Sequence, residues 1–516
     1  MGLEGSEYDD SRLIRVRYST IINYISQIYR LIIAVAFTII ATRKLSVEEY
    51  GLYTTILGVL SSILMYYDIW GYWSRRFYAR GKKTICSTVI ILNLMYVPIA
   101  MLIMFVIGLY YNYILGNCLI FFLLVLPRIV IAAFNRYFRS ISASSRPYII
   151  GKVNMVYESI RIILAYIFVA ILLWRLTGIL LSIVIASLVS TISHFLLLNY
   201  YGLKIPRPKI NLYDLKILLF NSYIPLISSL YIFLSHVEKP ILTAITASTI
   251  VTAYLGVSYI PRNVILQGGY AFTSGLYARL LRSPSKKDIE DILRICIFVN
   301  IGVSFLLFAL STSILSLFRT EYIKARILFV LFIIESLFIT ASSIFTAIAT
   351  SREERDLYVY GKELMKTPLF KIPLIRLIRG VFSIIVGSLA VYALFTMGIK
   401  DPILLALPYP LAWFISSIPY TIYTYKQAIK KSHFSIPWRD LLIALFAGSI
   451  SALSLHLLNY DKLIIRSFWN DLPELFIAAC LGISLYTIII YSLSPWVREF
   501  INLGLSYINK RLNKSI

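Results

Sequence analysis

The chain has 516 residues, of which 59% are hydrophobic and 15% charged, and its mean hydropathy is +0.78. A soluble protein clothes its surface with about 25% charged residues, so a water-soluble architecture is excluded. The formal net charge is +25, yet the basic residues lie between apolar runs rather than along one face, which excludes nucleic acid as a partner.

From the N-terminus, MGLEGSEYDDSRLIRVRYST is polar and carries both signs of charge. It does not read as a cleavable signal peptide, and Gly2 lacks the Ser/Thr context of a myristoylation signal. A helix needs about 20 apolar residues to cross a bilayer. Such runs then follow one another near 20–42, 51–71, 85–110, 114–138, 148–173, 177–200 and 217–243. They continue near 250–276, 289–317, 323–349, 377–398, 402–424, 440–459 and 475–495. The expectation is an all-α polytopic membrane protein with about fourteen transmembrane helices.

The positive-inside rule supports this count. With an internal N-terminus, most of the 50 Lys and Arg fall in cytoplasmic segments, whereas YYNYILGN (110–117) has none. Both termini are expected to be cytoplasmic. Connecting loops are short, the largest being SREERDLYVYGKELMKTPLFKIP (351–373), so no soluble catalytic domain is expected. VEEYGLY (47–53) matches VTAYLGV (251–257) loosely, and SASSRPY (142–148) matches IATSREE (348–354). Both pairs are about 205 residues apart, which suggests two duplicated six-helix halves, a common transporter plan. The boundaries expected are 1–205, 206–430, and 431–516 for two additional helices and a cytoplasmic tail.

The chemical signal is charge inside the spans. Arg30 lies in NYISQIYRLIIAVAFTIIA, Arg128 in LLVLPRIVIAAF, and Glu158 with Arg161 in VYESIRIILAY. Arg262 lies in SYIPRNVILQGG and Glu335 in LFIIESLFI. A charge at the bilayer centre costs roughly 2.5–3.5 kcal/mol on insertion scales, so such groups face one another or a wet cavity. The set is net positive, which suits an anion, and a guanidinium stays charged while offering a fork of donors to phosphate. Pro127 and Pro261 each precede one of these arginines, where a helix kink is tolerated beside protein or water.

Plainer readings stand beside these. Arg30 has the option of snorkelling to the interface, and Glu158 and Arg161 of neutralising each other across one turn. Arg128 has the option of joining Arg136 and Arg139 at the inner boundary. Asp68 is expected to pair with Arg75 or Arg76, with ion coupling as the alternative. Arg294 is read as interfacial, and His194 as a satisfied helix–helix contact. Arg262 and Glu335 are too deep for these explanations. Four cysteines and four histidines are scattered without ligand spacing, so no metal, disulfide framework or cofactor is expected.

The stretch RKLSVEEYGLYTTILGVLSSILMYYDIWGYWSRRFYARGKK (43–83) resembles the opening of the polysaccharide-exporting flippases of the multidrug/oligosaccharidyl-lipid/polysaccharide exporter superfamily. It carries Arg43, Leu45, Tyr50, Gly51 and Tyr53 of their R-x-L-x-x-x-x-[YF]-G-x-[YW] pattern, and it keeps Asp68 and Gly71 with Ile69 and Trp70 inserted between. PKINLYDLKILLFNSYIPLI (208–227) is similar to that family's lead into the seventh span, and the 351–373 loop resembles archaeal members. Few glutamines and abundant Ile, Tyr, Arg and Lys agree with a thermophilic source.

The resemblance implies two six-helix bundles around a central cavity, with two further helices. It also implies a non-enzymatic flippase that moves a polyprenyl- or dolichyl-(di)phosphate-linked oligosaccharide across the cell membrane by alternating access. Arg30 and Arg262 match the family's cavity arginines by span and depth. The expected phosphate contacts are Arg30, Arg128, Arg161 and Arg262. Asp68, Glu158 and Glu335 are the expected cavity or ion-coupling acids, with a proton or sodium ion as partner, in a monomer surrounded by membrane lipid. The alternatives are a multidrug/cation antiporter of the same superfamily, and a membrane glycan polymerase or glycosyltransferase.

Overall fold

The computed structural model describes residues 7–79, 84–203, 205–280, 286–351, 365–432, 434–499 and 502. Among these, every regular element is a helix. In chain order they are α1 (Glu7–Lys44), α2 (Val47–Leu64), α3 (Tyr66–Ala79), α4 (Thr84–Leu115), α5 (Leu119–Leu124) and α6 (Leu126–Ser145). Then come α7 (Tyr148–Ala165), α8 (Arg175–Tyr200), α9 (Leu212–Asn221), α10 (Tyr223–Thr246), α11 (Thr249–Leu280), α12 (Lys286–Ala309) and α13 (Ser311–Phe318). The series closes with α14 (Arg326–Ser351), α15 (Pro368–Thr396), α16 (Pro402–Ala406), α17 (Pro408–Lys431), α18 (Trp438–Leu457) and α19 (Phe468–Leu493).

Among the described residues, 11 helical segments are long and apolar enough to cross a membrane, or up to 13 if the bent pairs α2–α3 (43°) and α9–α10 are each one crossing. These stand against the fourteen runs expected from sequence. α11, with 32 residues, lies outside the set; Pro261, Arg262 and Asn263 interrupt its apolar run. Most of the 351–373 loop and the tail beyond 502 fall outside the described residues.

The chain divides into two compact units, Met1–Gly256 with Arg355–Ser416, and Val257–Glu354 with Ser417–Ile516. In the first, α2 begins with a capping box: Ser46 Oγ accepts from the Glu49 amide at 3.1 Å, and Glu49 Oε2 accepts from the Ser46 amide at 2.8 Å. This satisfies two otherwise orphaned donors. α2 then lies close along α10. A Cβ on Gly58 would meet Pro240 Cδ at 2.7 Å, and one on Gly51 would overlap the Thr249 carbonyl. Small residues allow such approaches where lipid removes the hydrophobic drive between helices. The contact also carries a hydroxyl chain from Thr55 to Thr243 (2.8 Å) and on to Thr252 (2.6 Å).

Pro127 sits in the first turn of α6, after a break at Val125. Leu119–Ser145 is nonetheless one candidate crossing, so the break at Val125 interrupts it where Pro127 lacks an N–H to donate. α6 packs against α3, α4 and α8, and α7 against α1 and α8. Of these, α1, α6, α7 and α8, with α2, build the site below.

In the second unit α12 packs against α14, α18 and α19, around Phe298, Ile301, Ala444, Ala447, Tyr486 and Ile490. One end is tied by polar contacts. Arg294 Nε reaches Asp440 at 3.0 Å and Nη1 reaches Asp291 at 3.2 Å, while Trp496 Nε1 donates to Asp291 at 2.8 Å.

Candidate functional site

The first unit encloses a cavity of about 230 Å³ between α1, α2, α6, α7 and α8. The helical period places its lining. On α6, residues 128, 132, 135 and 139 recur at intervals of three and four, so Arg128, Asn135 and Arg139 share one face, with Arg136 beside them. α1 contributes Arg30, α7 contributes Asn154, Tyr157 and Glu158, and α8 contributes Ser187, Ser190 and His194.

Its electrostatics divide into compensated and uncompensated groups. Arg161 Nη2 lies 2.6 Å from Glu158 Oε2, one turn away on α7, in poor alignment for a hydrogen bond. The same guanidinium lies over the Phe37 ring at 4.3 Å. Asp68 on α3 pairs with Arg136 on α6 at 3.1 Å. Of the two partners expected for Asp68, Arg75 is corrected by this pair, and the side chain of Arg76 lies outside the described residues. Seven residues of helix separate Asp68 and Arg75 by about 10 Å along the axis, whereas α6 lies alongside. Arg75 Nε instead donates to the Gly71 carbonyl at 3.2 Å. Arg30, Arg128 and Arg139 have no hydrogen-bond or ion-pair partner among the described residues. Arg136 and Arg139 also wall a smaller space of about 70 Å³ with Asp68 and Ser140.

His194 departs from expectation too. It is 2% exposed, and neither ring nitrogen has a hydrogen-bond partner. It is therefore not a satisfied helix contact but an open donor and acceptor on the cavity wall. Asn135, by contrast, is tied: Nδ2 donates to Thr191 Oγ1 at 3.0 Å.

In the second unit Arg262 and Glu335 meet each other. Nε lies 2.8 Å from Oε2 and Nη2 lies 3.4 Å from Oε1. Arg262 also lies over the Tyr259 ring at 5.1 Å. The expected residues thus fall into three groups: Arg30, Arg128 and Glu158 on one cavity with Arg161 behind Glu158 against Phe37, Asp68 beside it with Arg136, and the Arg262–Glu335 pair.

Sequence reasoning missed several polar residues. The α6 stripe is legible as charged and amide residues on one helical face, although Arg136 and Arg139 read from sequence as boundary residues. A second buried cluster in the first unit was overlooked. Trp413 Nε1 donates to Glu238 Oε2 at 2.7 Å, and Arg379 lies over the Trp413 ring at 5.0 Å. Its signal was a carboxylate inside the seventh apolar run and an arginine at the start of the eleventh. Among the described residues no group of three or more His, Cys, Asp or Glu could hold a metal ion.

These helices follow the fold of the transporters of the MOP superfamily. A structure of the lipid II flippase MurJ in an inward closed conformation superposes with a TM-score of 0.64 at 16% identity, over 94% of this chain and 99% of that one. An inward-facing multidrug resistance MATE family transporter of the same superfamily gives 0.58 at 14% identity, over 80% and 99%. A MOP superfamily transporter from Pyrococcus furiosus, described as having a binding pocket of reverse polarity, gives 0.54 at 13% identity, over 80% and 96%. No family model matches the sequence, and no curated protein matches it.

Proposed function

We propose that this protein is a flippase that moves a polyprenyl- or dolichyl-(di)phosphate-linked oligosaccharide across the cell membrane by alternating access. The observation that carries the reading is the set Arg30, Arg128 and Arg139, three guanidinium groups on one cavity with no hydrogen-bond or ion-pair partner among the described residues. An unpaired charge there is costly, and a phosphate that supplies charge-assisted hydrogen bonds removes the cost. Asn154, Tyr157, Ser187, Ser190 and His194 add neutral groups suited to a phosphate or the first sugar. The likeness to a lipid II flippase over most of the chain supports a lipid-linked cargo.

Arg161 and Arg262 join as phosphate contacts that are held in reserve. Each is paired with a carboxylate, Glu158 or Glu335, and neutralising that carboxylate by a proton releases its arginine. Glu158 and Glu335 are thus the coupling groups, with Asp68 controlling Arg136 in the same way. We place the duplicated halves at 1–205 and 206–430 with an addition at 431–516. Both termini are assigned to the cytoplasm, the protein is taken as a monomer without enzymatic activity, and an archaeal polysaccharide pathway is its setting.

The test is translocation of a fluorescent polyprenyl-diphosphate sugar in proteoliposomes. Arg30→Ala and Arg128→Ala should abolish transport and Lys431→Ala should not. Wild-type failure with every lipid-linked sugar, together with export of organic cations, would replace this reading with a drug antiporter.

A further inference from the structure

We propose that an apolar groove between α6 and α8 seats the hydrocarbon chain of the lipid whose anionic head occupies the cavity. This deepens the phosphate reading and rests on it. The groove has a volume of about 410 Å³ and is lined by Val130, Phe134 and Phe138 of α6 and by Leu188, Ile192 and Phe195 of α8. Each helix therefore shows two adjacent stripes. On α6, Arg128, Asn135 and Arg139 face the cavity, and Val130, Phe134 and Phe138 face the groove. On α8, Ser187, Ser190 and His194 face the cavity, and Leu188, Ile192 and Phe195 the groove.

The two spaces share a wall. Ile131 lines both. Asn135, on the cavity side, donates to Thr191, on the groove side, at 3.0 Å. Thr191 donates in turn to the Ser187 carbonyl at 2.8 Å, which occupies its hydroxyl and leaves its methyl for the groove. The seam is one layer of side chains, closed by a neutral hydrogen bond, which is weak in net terms.

An amphiphile needs this arrangement. Its chain is costly in a wet cationic cavity, and its phosphate is costly in lipid. A polar and an apolar space on either side of a weak seam let each half keep its own solvent as the head enters. The occupant is a chain rather than a compact drug, because the groove opens along the lipid-facing stripes, where Phe134, Leu188, Ile192 and Phe195 are exposed.

The experiment uses the full chain in phosphatidylcholine nanodiscs with two photoreactive probes. One is a polyprenyl monophosphate with a diazirine on its chain; the other is a phosphatidylcholine with the same group on its acyl chain. Labelled positions are read by mass spectrometry, and binding of inorganic pyrophosphate is measured on the same preparations by calorimetry. The polyprenyl probe should label 130–138 and 188–195 over the phosphatidylcholine probe by about tenfold, the factor one charge-assisted hydrogen bond supplies. Arg128→Ala should remove that excess. Phe134→Trp with Ile192→Trp should also remove it while leaving pyrophosphate binding intact. Equal labelling by both probes, with arginine-dependent pyrophosphate binding preserved, would mean bulk lipid fills the groove and would overturn this inference alone. Loss of selectivity together with no pyrophosphate binding would overturn both the groove and the phosphate reading.

Discussion

Arg262 and Glu335, 73 residues apart, form a two-pronged ion pair whose carboxylate is completely buried. Breaking such a pair on one side leaves an uncompensated buried charge, which costs about 3–5 kcal/mol, whereas replacing both partners by apolar residues is often neutral. Glu335→Ala should therefore lower the thermal midpoint of the detergent-purified protein by several degrees. Arg262→Met with Glu335→Leu should recover most of that loss. Equal destabilisation in the single and double variants would show that the pair is not the source of the cost.

The cavity arginines should behave in the opposite way. Arg30 and Arg128 have no partner to orphan among the described residues, so Arg30→Ala and Arg128→Ala should be no less stable than the parent. Each should lose roughly 1.5–3 kcal/mol of interaction with a phosphate-bearing ligand, the worth of a charge-assisted hydrogen bond. Binding of a polyprenyl phosphate read by calorimetry should therefore weaken about tenfold or more. A large fall in thermal stability without a change in affinity would make these residues structural.

His194→Leu separates a cavity role from a packing role. Removing two unpartnered ring nitrogens from a buried site should leave stability unchanged or raise it by up to about 1–3 kcal/mol, the cost of an unsatisfied buried group. Transport should fall at the same time. Unaltered transport in proteoliposomes would take His194 out of the site.

Gly51 tests the helix approach in the first unit. A methyl there overlaps the Thr249 carbonyl, and backbone cannot swing aside as a side chain can. Gly51→Ala should destabilise by about 1–3 kcal/mol, the usual cost of overpacking. Gly71→Ala is the control, because its nearest neighbour would be Ser140 Oγ at 3.7 Å. Similar melting of the two variants would argue against close approach of α2 to the start of α11.

In the second unit, Asp440 holds Arg294 at 3.0 Å and accepts from Ser494 at 3.1 Å. Asp440→Ala should cost about 1–3 kcal/mol, because Ser494 is fully buried and loses its acceptor. Ser494→Ala in the same background should cost little more, since the two residues share one interaction. Additive losses in thermal midpoint would show that they act separately.

Much of the helical plan was legible because hydrocarbon accepts only backbones that satisfy their own hydrogen bonds. Apolar runs long enough to cross therefore had to be helices. α11 shows the limit: the Arg262 that marks it for function is one of the residues that weaken its apolar signal. The site was legible as a list of charges but not as a set of partners. Glu158 and Arg161 could be paired from their spacing of three on one helix. Arg262 and Glu335 could not, because nothing local joins residues on different helices. Asp68 meets Arg136 rather than Arg75 for the same reason: sequence distance favours arginines on its own helix, and packing brings Arg136 from another.

By itself, then, the sequence determined that the protein is a helical membrane protein with intramembrane arginines in excess over carboxylates. Both follow from the bilayer as solvent, which sets the length of each run and the cost of each charge without reference to neighbours. Tertiary structure decided which charges are neutralised and which remain open. That outcome depends on which helix faces touch, and helix faces are matched by packing between segments far apart in the chain. Only after α1, α6, α7 and α8 are brought together do Arg30, Arg128 and Arg139 share one cavity, with Glu158 already taken by Arg161.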